Sequence, residues 1–330
     1  VTVVIPTLAA DSAWRASLGS LERQSFRDFE VIVVDNSGRG AVRLEAPKCA
    51  TRVLAAAGNL GFGAAVNWAA RESRAEFIAT LNDDAEAEPD WLAELHAAMA
   101  RHPGAGMAAP LVLLADSGRV DSAGMLLCAD GSSKQRGHGR EAGEFPDEEE
   151  ALFPSGSAAL YRRVLFSELG GYDESFFLYC EDSDLGLRAR WAGYACRYVP
   201  AARVRHRYSH SAGRASALKA YLVERNRLRV AMKNFPLRML WRLPSAAVAR
   251  YRAHLAGVRT GTGAAAEFAR HSSPWKLAWF VAKAHLALIP AMPSLLAARA
   301  RIQRLARLSP GGFAALAKRF AIAPHEVAEQ

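Results

Sequence analysis

The sequence predicts an α/β fold, a mixed and mostly parallel sheet flanked by helices, followed by a helical C-terminal extension. Three observations predict it. Short apolar runs, VTVVIPTL (1–8), FEVIVVDNS (29–37) and FIATL (77–81), have the length and composition of buried strands. Between the first two lies helical periodicity, with Trp14, Leu18 and Leu21 on one face. Strand, helix, strand of this size makes a parallel pair through a right-handed crossover. Beyond residue 215 the chain changes character, to apolar stretches interspersed with Lys, Arg and Trp.

Taken in order, VTVVIPTL is broken by Pro6 and Thr7, so a strand runs into a loop. The second strand ends at Asp35. RVLAAAGNLGFGAAVNWAARES (52–73) reads as a strand, a turn holding Asn59, Gly61 and Gly63, and a helix from about Ala64 with Asn67 one turn in. Glycine lets a backbone approach a ligand, and the helix N-terminus behind it favours an anion. The spacing is not GxGxxG and no P-loop Lys is present, which excludes a dinucleotide fingerprint and an ATPase. FIATL stops at Asn82, Asp83 and Asp84, and WLAELHAAMA after Pro89 and Asp90 has helical periodicity. Residues 107–128 predict two more strands around a turn. Residues 128–150, rich in Gly, Ser and charge, predict an exposed loop, either a solvated linker or a lid.

PSGSAALYRR then predicts a turn into a strand, with Ser155, Gly156 and Ser157 at the crevice beyond the strand ends. VLFSELGGYD is a short helix closed by Gly170 and Gly171. Glu181, Asp182 and Asp184 open the next helix, whose other face carries Leu185, Leu187 and Trp191. RYVPAARVRHRYSHS (197–211) ends the region, with His206 and His210 four apart.

At 330 residues, half of them hydrophobic, the chain is long enough for a large domain plus an extension, and disorder is excluded. The four cysteines lack metal-ligand spacing and read as reduced core thiols of a cytoplasmic protein. The first residues enter directly into a strand, without the pattern of a signal peptide, and no apolar run is long enough to cross a bilayer. The net charge of +9 is unevenly spread: residues 201–330 carry 23 Lys and Arg against 4 Asp and Glu, leaving 19 against 29 in residues 1–200. An acidic front half suits a metal-dependent site, and a basic back half suits an anionic partner. Trp275, Trp279 and Phe280 beside Lys276 and Lys283 favour a membrane surface over nucleic acid, for which no zinc spacing or RNA-binding signature appears. Packing of these helices on a core is the plain alternative.

Two clusters carry chemistry. Adjacent carboxylates in the Asn82–Asp84 turn repel unless a cation joins them to a ligand, and hard oxygen ligands suit Mg²⁺ or Mn²⁺ bridging to phosphates. An acidic turn with an N-cap explains the same residues more simply. At Glu181–Asp184 the helix macrodipole accounts for acids in the first turn. Three carboxylates in four positions exceed what capping needs, so one is expected to act as a general base. A neutral His206 returning to a carboxylate-bound cation is a natural further ligand.

In this order, Asp35, the GNLGFGAAVN block, LNDDA, GGYDESFFLYCEDSDLGLRARWAG and HRYSHS resemble family 2 glycosyltransferases of the GT-A fold, rhamnosyltransferase-like members above all, from Val1 to about Ser211. The resemblance implies that Thr7 and Asp35 contact the nucleotide base and ribose, and that Asn59, Gly61 and Asn67 line the nucleotide-sugar site. It also implies that Asn82–Asp83–Asp84 stands for the DxD motif, with Asn82 at its first position. Asp84 is then the metal ligand with His206 beside it, Ser157 and Glu181 adjoin substrate, and Asp182 of the ED pair is the catalytic base. LRARW has Leu187 where processive members carry Gln, which implies addition of one or a few residues rather than a polymer.

The expectation is therefore an inverting, metal-dependent hexosyltransferase. Its donor would be a dTDP-, UDP- or GDP-sugar, its acceptor a lipid-linked or cell-envelope glycan, and its place the inner face of the plasma membrane. The catalytic domain is expected over 1–212 and the basic helical region over 213–330. A sugar-phosphate nucleotidyltransferase would need Gly, Arg and Lys directly after the first strand, where PTLAADS has none.

Overall fold

A computed structural model describes residues 1–9, 13–42, 49–207, 217–261 and 274–329, with 263, 266, 268 and 270 besides. His210 and the end of the HRYSHS block lie outside the described residues. The chain forms two compact units: Val1–Met125, Gln135–Ala189 and Tyr194–Ser211 make the first, Leu126–Lys134, Arg190–Gly193 and Ala212–Gln330 the second.

The first unit is built on a ten-stranded sheet. Its strands are β1 (Thr2–Thr7), β2 (Glu30–Asp35), β3 (Ala50–Ala55), β4 (Phe77–Leu81), β5 (Ala85–Ala87), β6 (Ala105–Leu114), β7 (Val120–Ser122), β10 (Glu149–Ala151), β11 (Ala158–Arg162) and β12 (Ala195–His206), while β8 (Met125–Leu127) and β9 (Ser133–Gln135) pair apart from it. The order is β10-β12-β6-β11-β4-β1-β2-β3, with β5 on β12 and β7 on β6. β3, β2, β1 and β4 run parallel, as do β6 and β12; β11 is antiparallel to both its neighbours.

Central strands covered on both faces read as unbroken apolar runs, and every residue of β4 is buried. Helices α1 (Ala13–Glu22) and α3 (Trp91–Arg101) pack on the sheet through Trp14, Leu18 and Leu21, and through Trp91, Leu92, Leu95 and Met99. Each such large apolar side chain contributes about 1.5–3 kcal/mol when fully buried. Helices α2 (Phe62–Glu72), α4 (Arg163–Glu168) and, as far as Ala189, α5 (Glu181–Trp191) complete the unit. α2 begins two residues earlier than the periodicity predicts, because its first turn is anchored by Phe62 N–H donating to Phe177 O at 3.0 Å.

The second unit is helical: Ala217–Asn234, Leu237–Leu240, Leu243–Thr260, Pro274–Leu286, Leu288–Leu305, Pro310–Arg319 and Pro324–Glu329. Trp191 stacks on Phe313 at 4.5 Å between centroids, and its indole N–H donates to Asn234 O at 2.8 Å.

Of the loop expected over 128–150, residues 140–150 are mostly exposed, but its first stretch differs. Cys128, Asp130 and Ser132 are buried, and β9 and β10 fall inside the segment. Asp130 lies in a charge cluster with Glu224, Arg227, Arg250 and Tyr251. Arg227 Nε donates to Glu224 Oε2 at 2.9 Å, and Arg250 Nη2 to the same oxygen at 2.7 Å. Burial works to raise the Glu224 pKa, but the two guanidinium groups outweigh it and hold it at about 2. Charges this deep persist only when paired.

Candidate active site

Thr7 and Asp35 sit directly opposite one another at the carboxyl ends of β1 and β2. The Asp35 carboxylate accepts Ser37 N–H at 2.9 Å on one oxygen and Val42 N–H at 2.8 Å on the other. Burial pushes its pKa up, but those donors win and hold it below its ordinary value. It is therefore a fixed anion, with lone pairs left for a further donor. Thr7 donates its hydroxyl to Asp83 Oδ2 at 2.6 Å and accepts Ala9 N–H at 2.9 Å, which ties the first strand to the acidic turn after β4.

The glycine turn is held from both sides. Asn59 Oδ1 accepts Gly61 N–H at 2.9 Å, and Asn36 Nδ2 donates to Gly61 O at 3.2 Å. Gly61 has φ +84, and a Cβ there would lie 2.2 Å from Phe177 O, so only glycine fits. Asn67 is buried with its amide spent on the 172–174 segment: Nδ2 donates to Tyr172 O at 2.8 Å and Glu174 Oε1 at 3.0 Å, and Oδ1 accepts Tyr172 N–H at 2.9 Å. In this arrangement Asn67 braces the wall of the turn.

Asn82, Asp83 and Asp84 follow β4 as a tight turn, Ala85 N–H donating to Asn82 O at 3.1 Å. β12 returns antiparallel to β5, setting His206 opposite Ala85. His206 Nε2 lies 3.2 Å from Asp84 Oδ1 and 3.5 Å from Asn82 Nδ2, and Nδ1 lies 2.8 Å from Asp121 Oδ2. The approach to Asp84 has ion-pair distance without hydrogen-bond alignment, so Asp84 Oδ1 is a buried oxygen with no hydrogen-bond partner. Burial works to lower the His206 pKa, but the carboxylates of Asp121 and Asp84 outweigh it and raise it to about 9.

With its pKa at about 9 the metal-free imidazole carries a proton between the two carboxylates, so a divalent cation at Asp84 would take up His206 Nε2 only by displacing that proton. Among the described residues no three His, Cys, Asp or Glu side chains form a closed metal cage. Mg²⁺-type sites commonly have few protein ligands, with water and substrate phosphates completing the shell.

Asp182 is reached from the same strand end. Asn82 N–H donates to Ser157 O at 2.9 Å, and Ala158 opens β11 opposite Leu81 of β4. One residue earlier, Gly156 N–H donates to Asp182 Oδ2 at 2.9 Å, while Ser183 donates to Oδ1 through N–H at 2.6 Å and Oγ at 3.1 Å. The Gly156–Ser157 backbone thus links the acidic turn after β4 to Asp182 at the head of α5 through one hydrogen bond on each side. Ser157 also shares a hydrogen bond with Ser155 Oγ at 3.0 Å.

Burial raises the pKa of both Asp182 and its neighbour; Glu181 reaches about 8, pushed first by burial and then by the Asp182 charge. Glu181 Oε2 is buried without a hydrogen-bond partner, whereas Asp182 remains partly exposed. Of the pair, Asp182 is the better solvated and accepts three donors, so it is the carboxyl that ionises first as pH rises; burial, and then the Asp182 charge, hold Glu181 protonated further up. Asp184 is spent structurally, accepting Arg188 Nε at 2.8 Å. Ahead of α5 the chain holds Phe177, Tyr179 and Cys180 at φ between +65 and +70, strain of about 1–3 kcal/mol per residue that clusters at functional sites.

A residue with a raised carboxyl pKa favours the fold while protonated, and that contribution is lost as pH rises towards the folded value. Between its ordinary value of 4.5 and about 8, Glu181 thus costs the protein stability. Glu181→Gln is expected to melt a few degrees above the parent at pH 8 and to lose that advantage at pH 5, in parallel thermal melts.

Sequence reasoning missed Asp121 and His138. Asp121 is buried on β7, bonded to both His206 and, at 3.2 Å, His138 Nδ1. Burial works against its charge, yet the two imidazoles hold its pKa below the ordinary value. An acid in ADSGRVDSAG carries no local signal; only pairing of β7 with β6 brings it under His206. A carboxylate behind an imidazole fixes the tautomer and orientation of a metal-binding histidine. Asp121→Asn is expected to weaken Mn²⁺ binding by about 10–100-fold in titration calorimetry.

Comparison with known proteins bears on the family and the fold. The model of glycosyl transferase family 2 matches residues 2–170. An N-acetylglucosaminyl-diphospho-decaprenol L-rhamnosyltransferase of Mycobacterium tuberculosis is 31% identical over 236 residues, 62% of this chain and 75% of the relative. An uncharacterized protein, y4gI, of Sinorhizobium fredii is 33% identical over 64% of this chain, which spans only 25% of that relative. Among solved structures, GalNAc-T7 with UDP, GalNAc and Mn²⁺ superposes with TM-score 0.59 at 15% identity, over 76% of this chain and 50% of that one. The mannosyltransferase PcManGT of Pyrobaculum calidifontis, with GDP-Man and Mn²⁺, gives 0.51 at 19% identity, over 92% and 85%. At under 20% identity these likenesses are of fold alone, and the fold is GT-A. The chain belongs to glycosyl transferase family 2.

Proposed function

We propose that the protein transfers a single sugar, with inversion, from a nucleotide-diphosphate donor to a hydroxyl of a lipid-linked or cell-envelope glycan. The rhamnosyltransferase relative, named for a decaprenol-linked substrate, supports dTDP-rhamnose as the first donor to try, ahead of UDP- and GDP-sugars. One observation carries the reading: the Gly156–Ser157 backbone, at one end of β4 and β11, accepts from Asn82 N–H and donates to the Asp182 carboxylate, which brings the Asn82–Asp84 turn and Asp182 to the same strand end.

Asp182 accepts the proton of the acceptor hydroxyl as that oxygen attacks the anomeric carbon from the face opposite the diphosphate. A single in-line displacement needs one base, not the paired carboxylates of a glycosidase. Glu181, kept protonated beside it, leaves the negative charge on Asp182. Thr7 and Asp35 take the base and ribose, and Asn59 and Gly61 bring the backbone against the donor with Asn67 bracing them. Asn82, Asp83 and Ser157 line the sugar-diphosphate. Asp84 and His206 would hold Mg²⁺ or Mn²⁺, which supplies Lewis-acid neutralisation of the leaving diphosphate.

Peripheral attachment to the inner face of the plasma membrane is part of the same proposal, supported by the basic C-terminal half. No single helix among the described residues is long and apolar enough to cross a membrane.

A donor screen with Mn²⁺ or Mg²⁺, scored by nucleoside diphosphate release, tests the reading. Release from one donor, with the product anomer inverted, is expected. Pyrophosphate release from a nucleoside triphosphate and a sugar phosphate, in place of it, would replace the transferase with a nucleotidyltransferase.

A further inference from the structure

Among the described residues the exposed large apolar side chains lie mostly in the second unit: Leu218, Leu237, Trp241, Val248 and Leu255 in or beside its earlier helices, and six more in one bent pair of helices. Trp275, Trp279, Leu286, Ile289 and Leu296 are 84, 60, 57, 69 and 53% exposed. In the helix Pro274–Leu286 the first three recur at i, i+4 and i+11, a single stripe at 3.6 residues per turn. In Leu288–Leu305, Ile289 and Leu296 recur at i and i+7. Ala284, Leu295 and Ile302 are the buried residues of these helices, so the stripes are not what the helices use to pack. Patches of this kind on a folded chain mark an interaction surface.

Charge selects the partner. From Pro274 to Leu305 there is no Asp or Glu, but Lys276, Lys283, Arg299, Arg301 and Arg304 are present. Lys276 and Lys283 lie about a quarter-turn from the tryptophan stripe, where cations snorkel to headgroups while the aromatic face enters the acyl boundary. Lys283 also lies 4.9 Å from the Tyr221 ring, and Arg299 donates to Met232 O and Phe235 O, so Lys276, Arg301 and Arg304 are the cations best placed to meet an anionic surface.

The two helices meet at a 47° bend. Pro290 accounts for it, since it has no N–H for the preceding turn and its ring crowds the carbonyl of residue 286. Neither arm alone is both long and apolar enough to span a bilayer: Pro274–Leu286 has 13 residues, and Leu288–Leu305, with 18, carries Arg299, Arg301 and Arg304. The two together have the length and composition of a broken span or re-entrant loop as well, and it is the cations beside the tryptophan stripe that favour a seat in the headgroup layer.

We propose that Pro274–Leu286 and Leu288–Leu305 form a wedge that seats in the headgroup layer of an anionic phospholipid bilayer, with Trp275, Trp279, Leu286, Ile289 and Leu296 inserted. This names the lipid-contacting element of the membrane attachment proposed above and rests on that reading. Co-sedimentation of the full chain with phosphatidylcholine vesicles, with and without phosphatidylglycerol, tests it. Binding is expected only with phosphatidylglycerol. Trp275→Ala/Trp279→Ala should lower the partition coefficient at least about tenfold. Lys276→Gln/Arg304→Gln should lower it about 25-fold.

All four side chains are exposed, so unchanged circular dichroism is expected and certifies the fold of each variant. On the parent protein, lipids brominated near the headgroup should quench tryptophan fluorescence. Undiminished binding by the tryptophan variant overturns the proposal, as does equal binding to uncharged vesicles. A dimer in sedimentation velocity that dissolves in the tryptophan variant assigns the face to a second copy and overturns it too. Nucleoside diphosphate release with a water-soluble acceptor is expected to be unchanged in these variants. If the parent lacks that release, the transferase reading fails on its own, independently of the vesicle result.

Discussion

Asp182→Asn is expected to lower turnover by about 10²–10⁴-fold, the usual worth of a general base, while the Michaelis constant for the donor moves less than about threefold. The split follows from where the carboxylate sits. Its oxygens face Gly156 and Ser183 and reach no group assigned to the nucleotide, so ground-state donor binding does not draw on it. Asparagine keeps the shape and one acceptor for Gly156 N–H, and the fold should survive. Steady-state kinetics at saturating acceptor separate the two constants. Turnover within a factor of a few of the parent would remove Asp182 from the reaction.

Asp84→Ala is expected to have a comparable effect by another route. It deletes the buried oxygen without a hydrogen-bond partner and leaves His206 with Asp121 as its carboxylate partner. Lewis-acid stabilisation is worth several kcal/mol, so activity should fall by at least about 10²-fold. Unlike Asp182→Asn, this variant should also lose affinity for the nucleoside diphosphate in the presence of Mn²⁺, read by titration calorimetry. Retained Mn²⁺-dependent binding would place the cation elsewhere.

Much of this site was legible because its parts sit where local pattern is strongest. Apolar runs that stop at Thr7, Asp35 and Asn82 announce strand ends, and strand ends in a parallel sheet line a crevice. Gly61 was legible as a turn; its close contact with Phe177 was not, since the two are far apart in sequence and meet only in the fold. The same limit governs the segment 128–150. Gly, Ser and charge signal a loop locally, yet Asp130 is buried because Arg227 and Arg250, about a hundred residues on, neutralise it. Asp121 was invisible for a related reason: its importance lies entirely in facing a histidine brought by another strand. Local composition reports what a residue prefers, and long-range pairing decides what it is permitted.

β4 carries the acidic turn, and the turn before its neighbour β11 holds Asp182, at the head of α5, through Gly156 N–H, so in the proposed transferase the gap between leaving group and base would be set by the sheet rather than by a hinged lid. Stiff spacing of that kind makes alignment independent of which alcohol arrives. Evolution is then free to exchange acceptors by altering peripheral segments, and the chemistry need not be re-tuned each time.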